Sequence, residues 1–149
     1  MSKLPIQTTK KPAVTITRNA IKKSKLVYLA LANKPIKYHN GEKSRIVYIG
    51  TTKTGAGRIA ASAAAKAQDI LLQFGVTQLD FFVVTCKPKP NVKTWRKLER
   101  GLLLAFKAHF GKPPLANNHG AKMKWTDELK YFTRHRLDGV IADYSKDIG

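Results

Sequence analysis

The stretch RIVYIGTTKTGAGR (45–58) joins an apolar run to a glycine-rich turn and then to an alanine-rich segment. Its first residues have the composition of a strand. After Gly50 the period changes, and apolar residues recur at three and four positions as far as Phe74. A strand that turns through glycines into a helix presents the free N–H groups of the helix N-terminus, which favour an anion. The stretch predicts a strand, a phosphate-binding turn and a helix over about 57–73.

The other apolar runs complete a small α/β domain. KLVYLALA (25–32) has the composition of a strand, and the Asn-Gly pair after it predicts a hairpin to the 45–50 strand through a long basic loop, 33–44. A third strand, LDFFVVTC (79–86), is apolar enough to be buried on both faces. These elements indicate a three-stranded, mostly antiparallel sheet flanked by helices.

Two more helices follow, and the chain divides into three parts. Apolar spacing predicts a helix over 92–110, and Thr126 with Asp127 and Glu128 is typical of the capped start of a C-terminal helix. The N-terminal residues are polar and basic, with a brief VTIT alternation that fits one short strand. We expect a basic flexible arm, a functional core and a C-terminal helical extension packed on the core: 1–24, 25–120 and 121–149.

The charge of the chain is strongly positive. Its 28 Lys and Arg residues outnumber 9 acids, giving a net charge of +19. Such an excess repels itself unless a polyanion neutralises it, so nucleic acid is the first partner to consider, although a ribosomal or merely very soluble basic protein also fits. No stretch approaches the roughly 20 apolar residues of a spanning helix, and the lone Cys86 has no zinc-type cluster around it. We expect an intracellular, cytoplasmic protein without a membrane partner.

The glycine-rich turn does not match a nucleotide-binding motif. Gly50 and Gly55 have the spacing of an NTPase phosphate loop, but Ala56 and Gly57 stand where that motif needs a lysine and then a serine or threonine. No dinucleotide-binding fingerprint fits either. An NTPase is therefore not expected, while a phosphate at the helix N-terminus still is.

Several residues occur in an order that resembles the GIY-YIG nuclease family. In chain order they are Leu26-Val27-Tyr28 on the first strand, Tyr48-Ile49-Gly50 on the second, Arg58 early in the next helix, Glu99 mid-way along the second long helix, and Asn117-Asn118 in a proline-rich loop. The resemblance covers about residues 25–120. It implies a GIY-YIG-like fold and a DNA endonuclease that hydrolyses phosphodiester bonds with a single divalent metal, Mg²⁺ or Mn²⁺.

The chain departs from the family pattern at three places. Leu26 stands where the family has its first glycine, and Ser62 stands where a histidine often follows the arginine by one helical turn. The loop between the two tyrosine strands is expected to be longer than the usual turn. Asn117 and Asn118 both fit the position of the family's asparagine, and Asn117 is favoured narrowly.

Glu99 suits a metal site because Mg²⁺ accepts one or two carboxylates and completes its shell with waters and substrate phosphate. It is the only acid between Asp80 and Asp127. Arg96, Lys97 and Arg100 lie beside it in sequence, and we expect them to keep its carboxylate ionised. An ordinary salt bridge to Arg96 or Arg100 is the alternative.

The other candidate residues divide the remaining work of phosphodiester hydrolysis. Arg58 offers a forked donor to phosphate oxygens. Tyr48 is the candidate general base, because dense positive charge and a metal-bound water are expected to make its phenol easier to ionise, and Tyr28 is expected to orient the water or phosphate. Asn117 holds a phosphate or fixes a helix end. Residues expected to contact nucleic acid, most simply double-stranded DNA, are Lys53, Arg58, Arg96, Lys97, Arg100 and Asn118.

Two alternatives to this nuclease stay open. The first is a non-catalytic nucleic-acid-binding module on a degenerate GIY-YIG scaffold. The second is an HNH-like metal site built from His109, Asn118 and His119, although that motif needs histidines on a hairpin and a helix. The sequence does not fix the oligomeric state.

Overall fold

A computed structural model of the protein describes residues 3–13, 15, 23–71, 73 and 75–146. Residues 3–13 are exposed and form neither helix nor strand, and most of the VTIT stretch lies outside the described residues. The elements of the rest are, in order, β1 (Leu26–Lys37), β2 (Lys43–Thr52), α1 (Ala56–Ile70), β3 (Leu79–Val84), α2 (Thr94–Phe110), a single 3-10 turn (Glu128–Lys130) and α3 (Arg134–Ser145).

The three strands form one antiparallel sheet in the order β2-β1-β3. The predicted α/β class, the three-stranded sheet and the hairpin are confirmed. The prediction of a long basic loop over 33–44 is wrong, because β1 continues to Lys37 and β2 starts at Lys43. The pairing of β1 with β2 shifts register between Leu31 and Ile36. This irregularity accommodates Pro35, which has no N–H to donate to a regular ladder.

Helices cover both faces of the sheet. Leu26 and Tyr28 of β1 pack with Ile59 of α1, whereas Val27 and Leu29 belong to the main core. Both α2 and α3 contact β1 and β2 and contribute the rest of that core. Since successive residues of a strand point to opposite faces, the tyrosines lie on the side of α1.

Strand β3 is not buried on both faces as its composition predicted. Its six residues are half-buried or exposed, and the side chain of Phe82 is 41% exposed. The strand lies at the edge of the sheet, where helices cover it less completely than they cover the central β1.

The C-terminal part begins its helix later than expected. Thr126 does bond to Glu128, but the turn there ends after Lys130 and α3 starts separately at Arg134, with the Thr133 hydroxyl accepting from the Arg136 N–H. A capping pattern fixes the start of one turn and does not guarantee that a long helix follows. Helix α3 packs closely on α2, where the side chain of Leu137 fills the space beside Gly101.

Side chains of α2 hold the segment that leads to α3. Arg100 donates to the carboxylate of Glu128 at 2.9 Å and to the carbonyl of Lys124 at 2.8 Å. Lys97 pairs with Asp127 at 2.7 Å. The Glu128 side chain is fully buried. Burial raises its pKa, but hydrogen bonds from Thr126, its own backbone and Arg100 outweigh that effect and bring the pKa to about 2.

None of the helices in the described ranges is both long enough and apolar enough to cross a membrane.

Breaking the Arg100–Glu128 pair should destabilise the fold much more than breaking the Lys97–Asp127 pair. Arg100→Met leaves a buried carboxylate without its guanidinium, which costs about 3 kcal/mol, the low end for a broken buried pair because Arg100 is partly exposed. Lys97→Met is the matched control on the same helix, because both members of its pair are about one-third exposed. Urea denaturation at neutral pH measures both effects.

The same pair should set part of the acid stability. The folded pKa of Glu128 is depressed, so its contribution is present above about 4.5 and is lost as pH falls toward about 2. In Arg100→Met the folded pKa rises, and the acid unfolding midpoint should move to higher pH. Equal losses for the two variants, or an unmoved acid midpoint, would show that Arg100 does not hold Glu128.

Candidate active site

The register of the hairpin brings the two tyrosines together. Tyr28 lies opposite Gly50, and Tyr48 lies opposite Ala30, two residues along each strand. The tyrosines are therefore diagonal neighbours on one face, where such side chains are close enough to touch. Their ring centroids are 5.9 Å apart.

Gly50 leaves the space that the rings occupy. A Cβ at this position would lie 2.6 Å from Cζ of Tyr28 and 2.7 Å from Cε1 of Tyr48, too close for either ring to stay in place. The glycine of the Tyr-Ile-Gly stretch is thus required by the tyrosine pair. Leu26, at the position of the family's first glycine, is fully buried in the small core with Tyr28 and Ile59.

One face of α1 lies towards the tyrosine pair and carries three polar side chains at successive turns, residues 58, 62 and 66. The Tyr28 hydroxyl donates to Oγ of Ser62 at 2.8 Å. The ammonium of Lys66 lies 4.6 Å from the ring centroid of Tyr48. Arg58 is exposed, and its charge acts on the Tyr48 phenol. Residues four apart lie on the same side of a helix, so α1 delivers all three to one place.

The phenol of Tyr48 is harder to ionise than the sequence suggested. Burial, the nearby Tyr28 hydroxyl and the Glu99 carboxylate together raise its pKa to about 12, although the charge of Arg58 acts to lower it. Among the protein's own groups, burial therefore outweighs the positive charge that was expected to lower this pKa. The same influences show that Tyr28, Arg58 and Glu99 all lie within electrostatic reach of Tyr48.

Glu99 makes no salt bridge or side-chain hydrogen bond with any described residue. Its neighbour Arg100 is engaged by Glu128 and by the carbonyl of Lys124 instead. Burial raises the pKa of Glu99, the charges of Arg96 and Arg100 offset only part of that rise, and the resulting pKa is about 7. The expectation that basic neighbours keep the carboxylate fully ionised is wrong, because desolvation outweighs them.

Asn117 is bonded to the outer edge of β2. Its side-chain amide donates to the carbonyl of Ile49 at 2.8 Å and accepts from the Ile49 N–H at 3.0 Å. The N–H of Ala116 donates to the carbonyl of Val47 at 2.8 Å. These bonds bracket Tyr48 on both sides. The side chain thus fixes a loop to the strand rather than a helix end, and Asn118 beside it is exposed.

The N-terminal ends of α1 and α2 carry exposed cations. Neither helix has a side-chain cap or an acid in its first turn. Lys25 connects the two ends, because its N–H donates to the carbonyl of Lys53 and its ammonium lies 5.2 Å from the ring of Trp95. The exposed cations of this basic end are Lys25, Lys53, Arg58, Lys93 and Arg96.

Two of the residues expected to contact nucleic acid are paired with acids instead, and a third is exposed. Lys97 and Arg100 pair with Asp127 and Glu128, so their charges hold the C-terminal segment. Asn118 is exposed beside Asn117. The sequence alone could not distinguish these engaged cations from Arg96, because all of them lie on the same helix beside Glu99.

The donors present fit a metal that needs few protein ligands. The described residues include no group of three or more His, Cys, Asp or Glu side chains placed to hold an ion. A single half-buried carboxylate with free oxygens suits Mg²⁺ or Mn²⁺, which keep waters in their shell. For the HNH-like alternative, His109 lies in the last turn of α2 with its ring against Phe110, and His119 is exposed in a loop.

Lys66 is the residue of this site that the sequence did not reveal. It was one of many lysines on a basic chain, and its distance from Arg58 was the only signal. Two helical turns separate the two residues, which predicts a shared face once Arg58 is considered functional.

The raised pKa of Glu99 predicts an unusual pH dependence of stability. Its contribution is fully present below about 4.5, where both states are protonated, and is lost as pH rises through about 7. The difference in stability between Glu99→Gln and wild type should therefore favour the variant more at pH 8 than at pH 5. Mg²⁺ should stabilise the wild type at pH 8 and not the variant. Melting temperatures measured across this pH range test the prediction, with Glu42→Gln, which removes an exposed carboxylate, as the control. Melting temperatures of wild type and Glu99→Gln that change with pH in parallel would contradict the prediction.

Comparison of the chain with protein-family models, with curated proteins and with solved structures finds no match.

Proposed function

We propose that this protein is a metal-dependent DNA endonuclease of the GIY-YIG type that hydrolyses phosphodiester bonds with a single divalent cation. The observation that supports the proposal best is the convergence of Tyr28, Arg58 and Glu99 within electrostatic reach of Tyr48. These four residues come from four separate elements, β1, β2, α1 and α2. Their meeting at one place is what phosphodiester chemistry requires, since base, phosphate donor and metal ligand must act on the same group.

Glu99 would hold the cation. Its oxygens are free of protein donors among the described residues, and its burial makes the ionised form costly without a compensating positive charge. A bound Mg²⁺ or Mn²⁺ supplies charge stabilisation at the phosphate and an acidified water. Neutralising Glu99 also removes one of the influences that raise the pKa of Tyr48.

The chain's own residues then have distinct roles. Arg58 binds the non-bridging oxygens of the phosphate, at the first turn of a helix whose N–H groups have no side-chain cap. Tyr48 in its tyrosinate form accepts a proton from the attacking water, whose oxygen bonds to phosphorus as the bond from phosphorus to the leaving sugar oxygen breaks. Tyr28 orients that water, because its own proton is directed to Ser62 and its oxygen is left to accept.

Double-stranded DNA is the proposed substrate because the basic end extends beyond the site itself. Lys25, Lys53, Lys93 and Arg96 are exposed around the entrances of α1 and α2. Cations spread over two helix ends suit a ligand with several phosphates along a backbone better than they suit one small anion.

The raised pKa of Tyr48 favours one alternative, a nucleic-acid-binding module that uses the same basic end without cutting. The two functions differ in a single assay. Plasmid DNA incubated with Mg²⁺ is nicked by the nuclease and protected from nicking by EDTA, whereas the binding module shifts the plasmid on a gel and leaves it intact in both conditions.

Glu99→Gln and Arg58→Ala should both abolish cutting while moving DNA affinity in opposite directions. The glutamine keeps the shape but cannot neutralise a cation, so plasmid nicking should fall by orders of magnitude, since the cation supplies several kcal/mol. DNA affinity measured in EDTA should stay level or increase, because a negative charge has left the site. Arg58→Ala removes a phosphate donor and should weaken binding. Wild-type cutting by Glu99→Gln would overturn the assignment of this carboxylate.

DNA affinity should fall steeply as the salt concentration rises, and neighbouring cations should contribute unequally to the slope of that dependence. Each phosphate contact contributes about 0.9 to the slope of log affinity against log salt. Arg96→Gln and Lys53→Gln should each reduce the slope by about that amount. Lys97→Gln is the matched control, because its ammonium is already paired with Asp127. A flat salt plot for the wild type would exclude nucleic acid as the partner, and equal slopes for Arg96→Gln and Lys97→Gln would exclude the basic end.

A further inference from the structure

Lys66 is tied into the site by two contacts of its ammonium group. It donates to the carbonyl of Ala116 at 3.0 Å, and it lies 4.6 Å from the ring centroid of Tyr48. Ala116 and Asn117 are the residues that bond to β2 on either side of Tyr48. Lys66 therefore connects α1, the 116–117 segment and the tyrosine ring at one point.

A cation in this position acts on the charge state of the phenol. The negative charge of a tyrosinate spreads into its ring, so an ammonium near the ring face stabilises the ionised form relative to the neutral one. Lys66 is half-buried, which limits the screening of its charge by water.

We infer that Lys66 is a positioning residue that holds the Tyr48 ring in place and favours its tyrosinate form, the form that accepts a proton from water. The inference rests on the proposed function for its catalytic meaning, but the effect on Tyr48 itself does not depend on cutting.

The other groups that face Tyr48 do not supply this contact. Tyr28 of β1 and Glu99 of α2 oppose ionisation of the Tyr48 phenol. Arg58 of α1 favours ionisation, but it is exposed and lies one helical turn before Ser62. From β3, the uncharged ring of Phe81 packs against Tyr28, with the ring centroids 6.1 Å apart. Of the described cations, Lys66 is the one seen in contact with the ring.

An alkaline titration followed in the tyrosinate absorption band tests the effect directly. The step that belongs to Tyr48 is identified as the one missing in Tyr48→Phe. In Lys66→Met this step should move to higher pH by about half a unit to one unit, and Lys66→Arg should restore it. Lys107→Met is the matched control, because Lys107 also donates to a backbone carbonyl at 3.0 Å, that of Met123, away from the tyrosines. If Lys66→Met does not fold, Lys66→Gln replaces it.

The pH profile of plasmid nicking gives the second readout. At a fixed pH below the Tyr48 step, Lys66→Met should cut about three- to tenfold more slowly, and raising the pH should recover the rate. An unmoved Tyr48 step, or a displacement shared by Lys107→Met, overturns the inference while leaving the nuclease intact. If the wild type does not cut, the proposed function fails and the titration alone decides the role of Lys66.

Discussion

The contact between Gly50 and the rings of Tyr28 and Tyr48 is the constraint on which the site depends. The hairpin register places the glycine directly opposite Tyr28, and any side chain there would displace both rings. The Tyr28 hydroxyl donates a hydrogen bond to Ser62, and the Tyr48 ring contacts the ammonium of Lys66. These two contacts connect the tyrosine pair to α1 and help to fix its position. The glycine that ends the strand motif therefore acts through packing rather than through backbone freedom.

Charge and burial oppose each other in this protein. A chain with a net charge of +19 holds a carboxylate whose pKa is raised to about 7 and a phenol whose pKa is raised to about 12. Local desolvation thus outweighs the global positive field at the site. The shortest cation–carboxylate pairs among the described residues lie elsewhere, between α2 and the segment before α3.

The sequence predicted what depends on local pattern. Two apolar runs with an Asn-Gly pair between them predicted the hairpin, and apolar spacing predicted both long helices, because these signals are visible in a single chain. It could not predict the raised pKa of Glu99, the engagement of Arg100 by Glu128 or the contact of Lys66 with Tyr48. Each of these requires knowing which distant residue arrives beside another. The predicted first strand also ends too early, because Pro35 indicates a loop when the irregular register that accommodates it is not known.

The bonds of the 116–117 segment to β2 have a second consequence, for association between molecules. An uncovered strand edge presents a row of N–H and C=O groups to which another chain can add. The Asn117 amide and the Ala116 N–H occupy these groups at Val47 and Ile49, much as a neighbouring strand would. The sheet is thereby closed to strand addition beside Tyr48, and a chain that approaches this side meets side chains instead of an open ladder.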